Sequence, residues 1–308
     1  MVRAVPVRLA VAALALAVWL GAAGPVTAAN PNGIVVYETD FGLKDGAVAS
    51  MKGVARTIER DLILEDLTHE VPAFDIWTGA YWLNQTIGYW PPGTVFVVVV
   101  DPGVGTDVRS VVALTGAGHY VVTPDNGTLT LVADQHGIAA LREIDKAQHQ
   151  RPGSEQSYTF FGRDLYSLTG ARIAAGQAAF ETVGPELDPK SVVRIDYARA
   201  QVVDGAAIGV VPVLDVQFGN VWSNIGRSLF AELGVAKGSE VGVTIFDGDS
   251  QIFEGRMPFV DTFGDVPEGK PLLYVNSLDN MAVAINFGDF AGTHGIGSGP
   301  EWRMEIRP

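Results

Sequence analysis

Thr94-Val95-Phe96-Val97-Val98-Val99-Val100 has no polar side chain after its first residue, and it stops abruptly at Asp101-Pro102-Gly103-Val104-Gly105-Thr106. An unbroken apolar run of strand length is the signature of a strand buried on both faces of a parallel sheet. The flanking sequence agrees with that reading. Residues 34–37 and 62–64 read as further strands. Residues 46–59, 76–89 and 164–175 read as helices, the first with Val48, Met51 and Ala55 on one face. Strands alternating with helices predict a mainly parallel sheet covered by helices. The pattern changes around residues 185–191. Beyond it, short apolar runs at 209–216, 240–245, 272–275, 282–286 and 302–306 are separated by turns. The expected architecture is therefore an α/β domain over residues 33–190 and an antiparallel, barrel-like β domain over residues 200–308.

The amino terminus reads as an address. Arg3 and Arg8 precede the apolar run of residues 9–20, and small residues follow at 26–29. A positive start, a short apolar middle and small residues at a cleavage point describe an export signal over residues 1–29. The apolar run is shorter than the ~20 residues needed to span a bilayer. The expected mature protein is exported and is not held in a membrane.

Composition narrows the function. The 308 residues hold 21 Lys and Arg against 35 Asp and Glu, a formal net charge of −14, and no cysteine. That balance argues against a nucleic-acid partner, because little is present to neutralise phosphates. The absence of cysteine excludes disulfides, thiol nucleophiles and Cys-ligated zinc or iron–sulfur sites. None of the metal-binding His/Glu spacings, phosphate loops or G-x-S-x-G nucleophile elbows occurs. No resident metal is expected.

Ligands of open parallel sheets sit beyond the carboxyl ends of the strands. Thr39-Asp40-Phe41-Gly42 follows the first strand there, and Asp101-Pro102-Gly103 follows the most apolar one. Asp40-Phe41-Gly42 and Asp101-Pro102-Gly103 are also good turn formers, but two acids at equivalent places on one sheet favour a site. In the second domain, Asp215-Val216-Gln217-Phe218-Gly219-Asn220-Val221-Trp222-Ser223-Asn224 gathers an acid, two asparagines and two aromatics around a glycine. Amides suit the edge of an adenine and aromatics its face. The plainer reading is a β-bulge with capped turns. Asn276-Ser277 follows another apolar strand and suits a carboxylate or an amide. His69, beside Glu70, reads as a structural hydrogen-bonding residue.

Several of these segments together resemble one family. They are Thr39-Asp40-Phe41-Gly42 with Asp45 and Met51-Lys52-Gly53, then Asp66-Leu67-Thr68-His69-Glu70, and Asp101 to Thr106. Pro124-Asp125-Asn126-Gly127, Phe160 with Gly162-Arg163-Asp164, Phe218-Gly219-Asn220 with Asn224-Ile225, and Asn276-Ser277 complete the set. Their order and spacing are similar to the S-adenosyl-L-methionine hydroxide adenosyltransferase family, relatives of the fluorinase and chlorinase, across the whole chain after residue 29. The resemblance implies a homotrimer with sites between neighbouring subunits. It also implies attack of water or hydroxide at the ribose C5′ of S-adenosylmethionine, releasing adenosine and L-methionine without a cofactor.

Position by position, the resemblance assigns the ribose hydroxyls to Asp40 and a pocket wall to Phe74. The methionine ammonium falls to Asp215, the adenine to Phe218 and Asn220, and a methionine contact to Ser277. Hydrolytic members bind the attacking water with an Asp, an Arg and a His. Asp101 matches the first, whereas Val108 and Phe161 stand at the other two places, and Arg109 is the neighbouring arginine. The expected activity is hydrolysis of S-adenosylmethionine, or of a close adenosyl sulfonium, with Asp101 and Arg109 as catalytic residues. The alternative is a catalytically weak adenosyl-binding homologue. A halide-using transferase ranks below both. An ionised Asp101 at ~4 Å from a halide is repulsive by about 4 kcal/mol at an effective dielectric near 20.

Overall fold

The structure is a computed structural model that describes residues 29–308. The expected export signal lies, apart from its last residue, outside the described residues. No described helix is long and apolar enough to cross a membrane.

The first domain is built on β1 (Ile34–Thr39), α1 (Ala47–Ile58), β2 (Ile63–Thr68), α2 (Ile76–Ile87) and β3 (Val95–Val99). There follow β4 (Ser110–Thr115), β5 (Tyr120–Pro124), α3 (Thr130–Gln135), β6 (Ile138–Glu143), α4 (Lys146–His149), a π-helix (Gly162–Ser167), α5 (Leu168–Ala174) and β7 (Glu186–Leu187). They form a seven-stranded sheet in the order β2-β1-β3-β5-β4-β6-β7. The first four are mutually parallel, whereas β4, β6 and β7 join antiparallel.

The period of two in a strand explains why both faces are covered. Val35, Tyr37, Val95, Val97 and Val99 point into one core with Met51 and Ala55 of α1, Leu165 and Tyr166 of the π-helix and Ile173 of α5. Val36, Phe96 and Val98 point into the other, with Leu83 and Ile87 of α2 and Val132 of α3. Gly170 lets α5 lie directly on β3, since a Cβ there would stand 2.6 Å from Val97 Cγ2.

The second domain contains β8 (Gln201–Val203), β9 (Ala206–Val211), β10 (Val213–Asp215), β11 (Asn220–Gly226), α6 (Arg227–Ala231), β12 (Glu240–Asp247) and β13 (Ser250–Pro258). It ends with β14 (Pro271–Val275), β15 (Asn280–Ile285), α7 (Phe290–His294) and β16 (Gly299–Arg307). Its two antiparallel sheets run β10-β11-β15-β14 and β13-β12-β16-β9-β8. They face each other across one core that includes Val221, Val243, Ile245, Leu273, Val283 and Ile306. Residues 216–219 form a turn before Asn220, and β11 follows with a shift of pairing register against β15 between Trp222 and Gly226, which agrees with the bulge-and-turn reading of the sequence.

Trp77 and Tyr81 of α2, Leu131 and Val213 form an apolar cluster at the junction of the two domains. The Trp77 indole donates to the Pro212 carbonyl at 2.8 Å.

Candidate functional site

The site residues of the first domain stand at the carboxyl ends of β1 and β3, strands paired in register through Thr39 and Val99. Asp40, one residue past β1, accepts a hydrogen bond from the Phe74 amide at 2.9 Å. Phe74 itself has φ +70°, a left-handed conformation that is unusual for an aromatic residue. Its ring is 71% exposed. The next residue, Asp75, caps α2 by accepting from the Thr78 amide (2.9 Å) and hydroxyl (2.6 Å). The chain is thus anchored on both sides of the strained position, which is how such backbone strain persists.

Beneath Asp40, buried His69 bridges the Thr39 hydroxyl through Nδ1 (2.8 Å) and the Asp66 carboxylate through Nε2 (2.9 Å). Lys52 reaches the same carboxylate at 2.6 Å. Asp66 is held below the usual carboxylate range because hydrogen bonds from Lys52 and His69 outweigh its partial burial. The ring of His69 is occupied on both sides and braces the Thr39–Asp40 turn.

Asp101 is more deeply set. Burial pushes its carboxyl up, and donation from the Tyr166 hydroxyl and the Gly103 amide opposes this. The Asp40 charge raises it further and the Lys146 ammonium lowers it, with a net shift upward. Tyr166 donates to Asp101 Oδ2 at 3.3 Å while lying 3.0 Å from Ser110 Oγ. Its own hydroxyl is pushed well up by burial and by the Asp101 charge, so it remains a donor. Tyr166 belongs to the π-helix, a distortion often found where a side chain must be re-aimed at a site. The loop from Asp101 turns tightly at Gly105, with φ +79° and room only for a hydrogen, since a Cβ would fall 2.5 Å from the Tyr158 carbonyl.

Arg109 faces away from this constellation. Its guanidinium pairs with buried Asp125 and donates to the Ser191 carbonyl at 2.7 Å. The second oxygen of Asp125 accepts from the Val193 amide at 2.8 Å. Arg109 thus ties the loop beyond β3 to the segment leading into the second domain, and it makes no contact with Asp101 among the described residues. Val108 packs against the same loop. Phe161 is 4% exposed in the core, with Lys146 Nζ 4.9 Å from its ring centroid.

In the second domain, Asp215 ends β10 and accepts from Asn220 Nδ2 at 3.0 Å. Between them the chain reverses at Gly219, φ +67°, where a Cβ would collide with the Asp289 carboxylate. Phe218 is left 64% exposed on that turn. Asp215, Phe218, Asn220 and Ser277 share one open cleft of about 1040 Å³, together with Trp222, Tyr274 and Phe287. No residue of the first domain lines it. Another cleft, of about 610 Å³ at the domain junction, contains none of the candidate residues.

Within one chain, then, Asp40, Phe74 and Asp101 form one group, and Asp215, Phe218, Asn220 and Ser277 another, on separate surfaces. Among the described residues no group of three His, Asp or Glu is disposed to hold a metal ion. No motif in the sequence marks Tyr166, Lys146 or Phe287. The distance of Tyr166 and Lys146 from Asp101 along the chain hides them. Phe287 carries no motif, although its 90% exposure marks it in the structure.

Comparison with known proteins follows the same division. The family model described as the SAM hydroxide adenosyltransferase N-terminal domain matches residues 35–184, and that of the C-terminal domain matches residues 209–303. The chain is similar to an (R)-S-adenosyl-L-methionine hydrolase of Salinispora tropica, 34% identical over 278 residues, covering 89% of this chain and 98% of the relative. It is similar to a fluorinase of Actinopolyspora mzabensis, 30% identical over 295 residues, covering 88% and 96%. Among solved structures, an uncharacterized conserved protein from Thermotoga maritima superposes with a TM-score of 0.80 at 33% identity, covering 89% of this chain and 100% of that one.

Proposed function

The chain belongs to the SAM hydroxide adenosyltransferase family, and from that premise we propose that it hydrolyses S-adenosyl-L-methionine, or a close adenosyl sulfonium, to adenosine and L-methionine. The observation that carries this reading is Asp101, a carboxyl at the end of the most buried strand, held by Tyr166 beside Asp40. Water lodged against Asp101 attacks the ribose C5′ in line with the sulfonium. The new C5′–O bond forms as the C5′–S bond breaks, and sulfur keeps the bonding pair as a neutral thioether. The proton lost by the water goes to Asp101, whose raised pKa suits a base at neutral pH better than an ordinary carboxylate. A sulfonium is already a good leaving group, so positioning is the main task left to the protein. The name of the Salinispora tropica relative supports hydrolysis. The fluorinase relative supports a halide reading, which the anion at Asp101 opposes.

In this reading Asp40 holds the ribose hydroxyls, Phe74 lines the pocket, Phe218 and Asn220 take the adenine, and Asp215 and Ser277 take the methionine portion. Since the two groups lie on separate surfaces of one chain, the complete site forms between neighbouring subunits of a homotrimer. The exposed Phe74, Phe218 and Phe287 support that arrangement, because an adjacent copy would remove large aromatic surfaces from water. Co-expressing Asp101→Asn and Asp215→Ala chains tests it: mixed trimers are expected to recover part of the activity that each variant lacks alone. A mixture as inactive as its parents contradicts a shared site.

Incubation of the purified protein with S-adenosylmethionine is expected to release adenosine and methionine in equal amounts. Dialysis against a chelator is expected to leave the rate unchanged, and loss of activity on chelation contradicts a metal-free mechanism. Arg109's commitment to Asp125 and the apolar Phe161 favour a second reading, an adenosyl-binding homologue with little turnover. Calorimetric binding of S-adenosylmethionine without release of adenosine distinguishes that case. The Arg3 and Arg8 start and the short apolar run support export of the mature chain, for which N-terminal sequencing of the protein from cell fractions is the direct check.

A further inference from the structure

We propose that His69 is a positioning residue for the ribose, holding the turn of residues 39–42 in the shape that presents the Asp40 carboxylate to the sugar hydroxyls. This rests on the assignment of Asp40 to the ribose. It gives a role to a stretch, Asp66 to Glu70, that the reaction itself leaves unused.

The turn hangs on His69 at both ends. The Thr39 hydroxyl lies 2.8 Å from His69 Nδ1 and accepts from the Phe41 amide at 3.2 Å. The Gly42 amide donates to the His69 carbonyl at 2.7 Å. Asp40 therefore sits between one residue held by the ring of His69 and another held by its backbone. Rotation of the carboxylate is checked by the Phe74 amide, which donates to Oδ2 at 2.9 Å. Oδ1 has no protein partner among the described residues and is free for a ligand.

The far end of the chain of bonds fixes its direction. Lys52 and His69 both meet the Asp66 carboxylate, at 2.6 and 2.9 Å, and an ionised carboxylate only accepts, so His69 Nε2 carries a proton. In the neutral ring Nδ1 is then bare and accepts from the Thr39 hydroxyl, which leaves that oxygen's lone pairs for the Phe41 amide. Thr39 and His69 are 0% and 3% exposed, so water is a poor substitute for a lost partner. β2 carries a matching distortion. Its pairing with β1 passes from Tyr37–Asp66 to Glu38–Thr68 and skips Leu67, a bulge of the kind that re-aims side chains beside a site.

The test is the preference for adenosine over 2′,3′-dideoxyadenosine, read by calorimetry on the purified protein without any turnover. The parent is expected to prefer adenosine by about ten- to a hundredfold, the range of hydrogen bonds to a charged group, and Asp40→Ala to abolish the preference. His69→Gln reaches toward Asp66 but not Thr39. It is expected to lose most of the preference, with affinity for dideoxyadenosine changed by less than about twofold. His69→Asn, which keeps an acceptor near the Nδ1 position, is expected to recover part of it. Thr39→Val removes the other end of the bond and is expected to match His69→Gln, the double variant being no worse than either. A His69→Gln protein that keeps the preference, or loses affinity for both nucleosides equally, overturns the proposal. Should that variant fail to fold, Thr39→Val decides by the same two outcomes. A parent with no preference overturns the assignment of Asp40 and the proposal that rests on it. A preference lost in the variants, while the parent releases no adenosine from S-adenosylmethionine, upholds the role of His69 and overturns hydrolysis instead.

Discussion

Asp101→Asn is expected to lower kcat by about 10²- to 10⁴-fold, the range that loss of a positioned general base produces, with the affinity for S-adenosylmethionine changed far less. The substitution is nearly isosteric. Asparagine still accepts from the Tyr166 hydroxyl through its carbonyl oxygen, so the π-helix and the loop to Gly105 keep their support. What it loses is the anion that orients and deprotonates the water. Asp40→Ala is expected to fail differently, because Asp40 is assigned to the ribose: binding weakens and KM rises. The pH profile adds a sign. Asp101's upward shift means that a protonated, inactive form persists further toward neutrality than for an ordinary carboxyl. Activity is therefore lost as pH falls through that raised value. Single-turnover rates and calorimetry on the two variants, measured side by side, check the split; an Asp101→Asn protein with unchanged kcat contradicts the assignment.

Glu38→Leu is expected to stabilise the fold, and more so as pH rises. Glu38 is fully buried on β1, neither carboxylate oxygen has a hydrogen-bond partner among the described residues, and burial alone pushes its pKa well above the usual range. It points toward α2, with Oε1 3.8 Å from the position a Cβ on Gly79 would take. In the folded protein it keeps its proton where the unfolded chain has already lost it. Above the unfolded value the native state thus binds more protons, and the folding equilibrium constant falls about tenfold per pH unit until pH passes the folded value. Leucine removes both the titration and the unpartnered acid. Melting temperatures of the two proteins between pH 4 and 8 are expected to diverge steadily in favour of the variant. A constant difference across that range means that the carboxyl is already paired or ionised in the native state.

The elements that carry the site were the most legible ones. The unbroken apolar run of β3 locates a parallel sheet, and the acids that follow β1 and β3 mark its candidate edge, because burial on both faces leaves a plain mark on a sequence. The direction of pairing leaves none. Residues 110–115 and 120–124 are as thoroughly buried as β3, yet they form an antiparallel pair, joined by four residues that are too few for a crossover. β13 is mostly exposed, so its composition says little. The π-register of Gly162–Ser167 depends on which carbonyl each amide meets, and an apolar periodicity does not encode that choice. Long-range pairs were equally hidden. Arg109 next to Val108 suggested a water ligand, but the partner that decides its role, Asp125, arrives from the far end of β5.

The most direct measurement of the central claim is turnover of S-adenosyl-L-methionine in oxygen-18 water, followed by mass spectrometry of both products. Attack of water at C5′ places one heavy oxygen in the 5′-hydroxyl of adenosine and leaves methionine unlabelled. Absence of adenosine, a 5′-haloadenosine formed in the presence of halide, or label appearing in methionine contradicts the account.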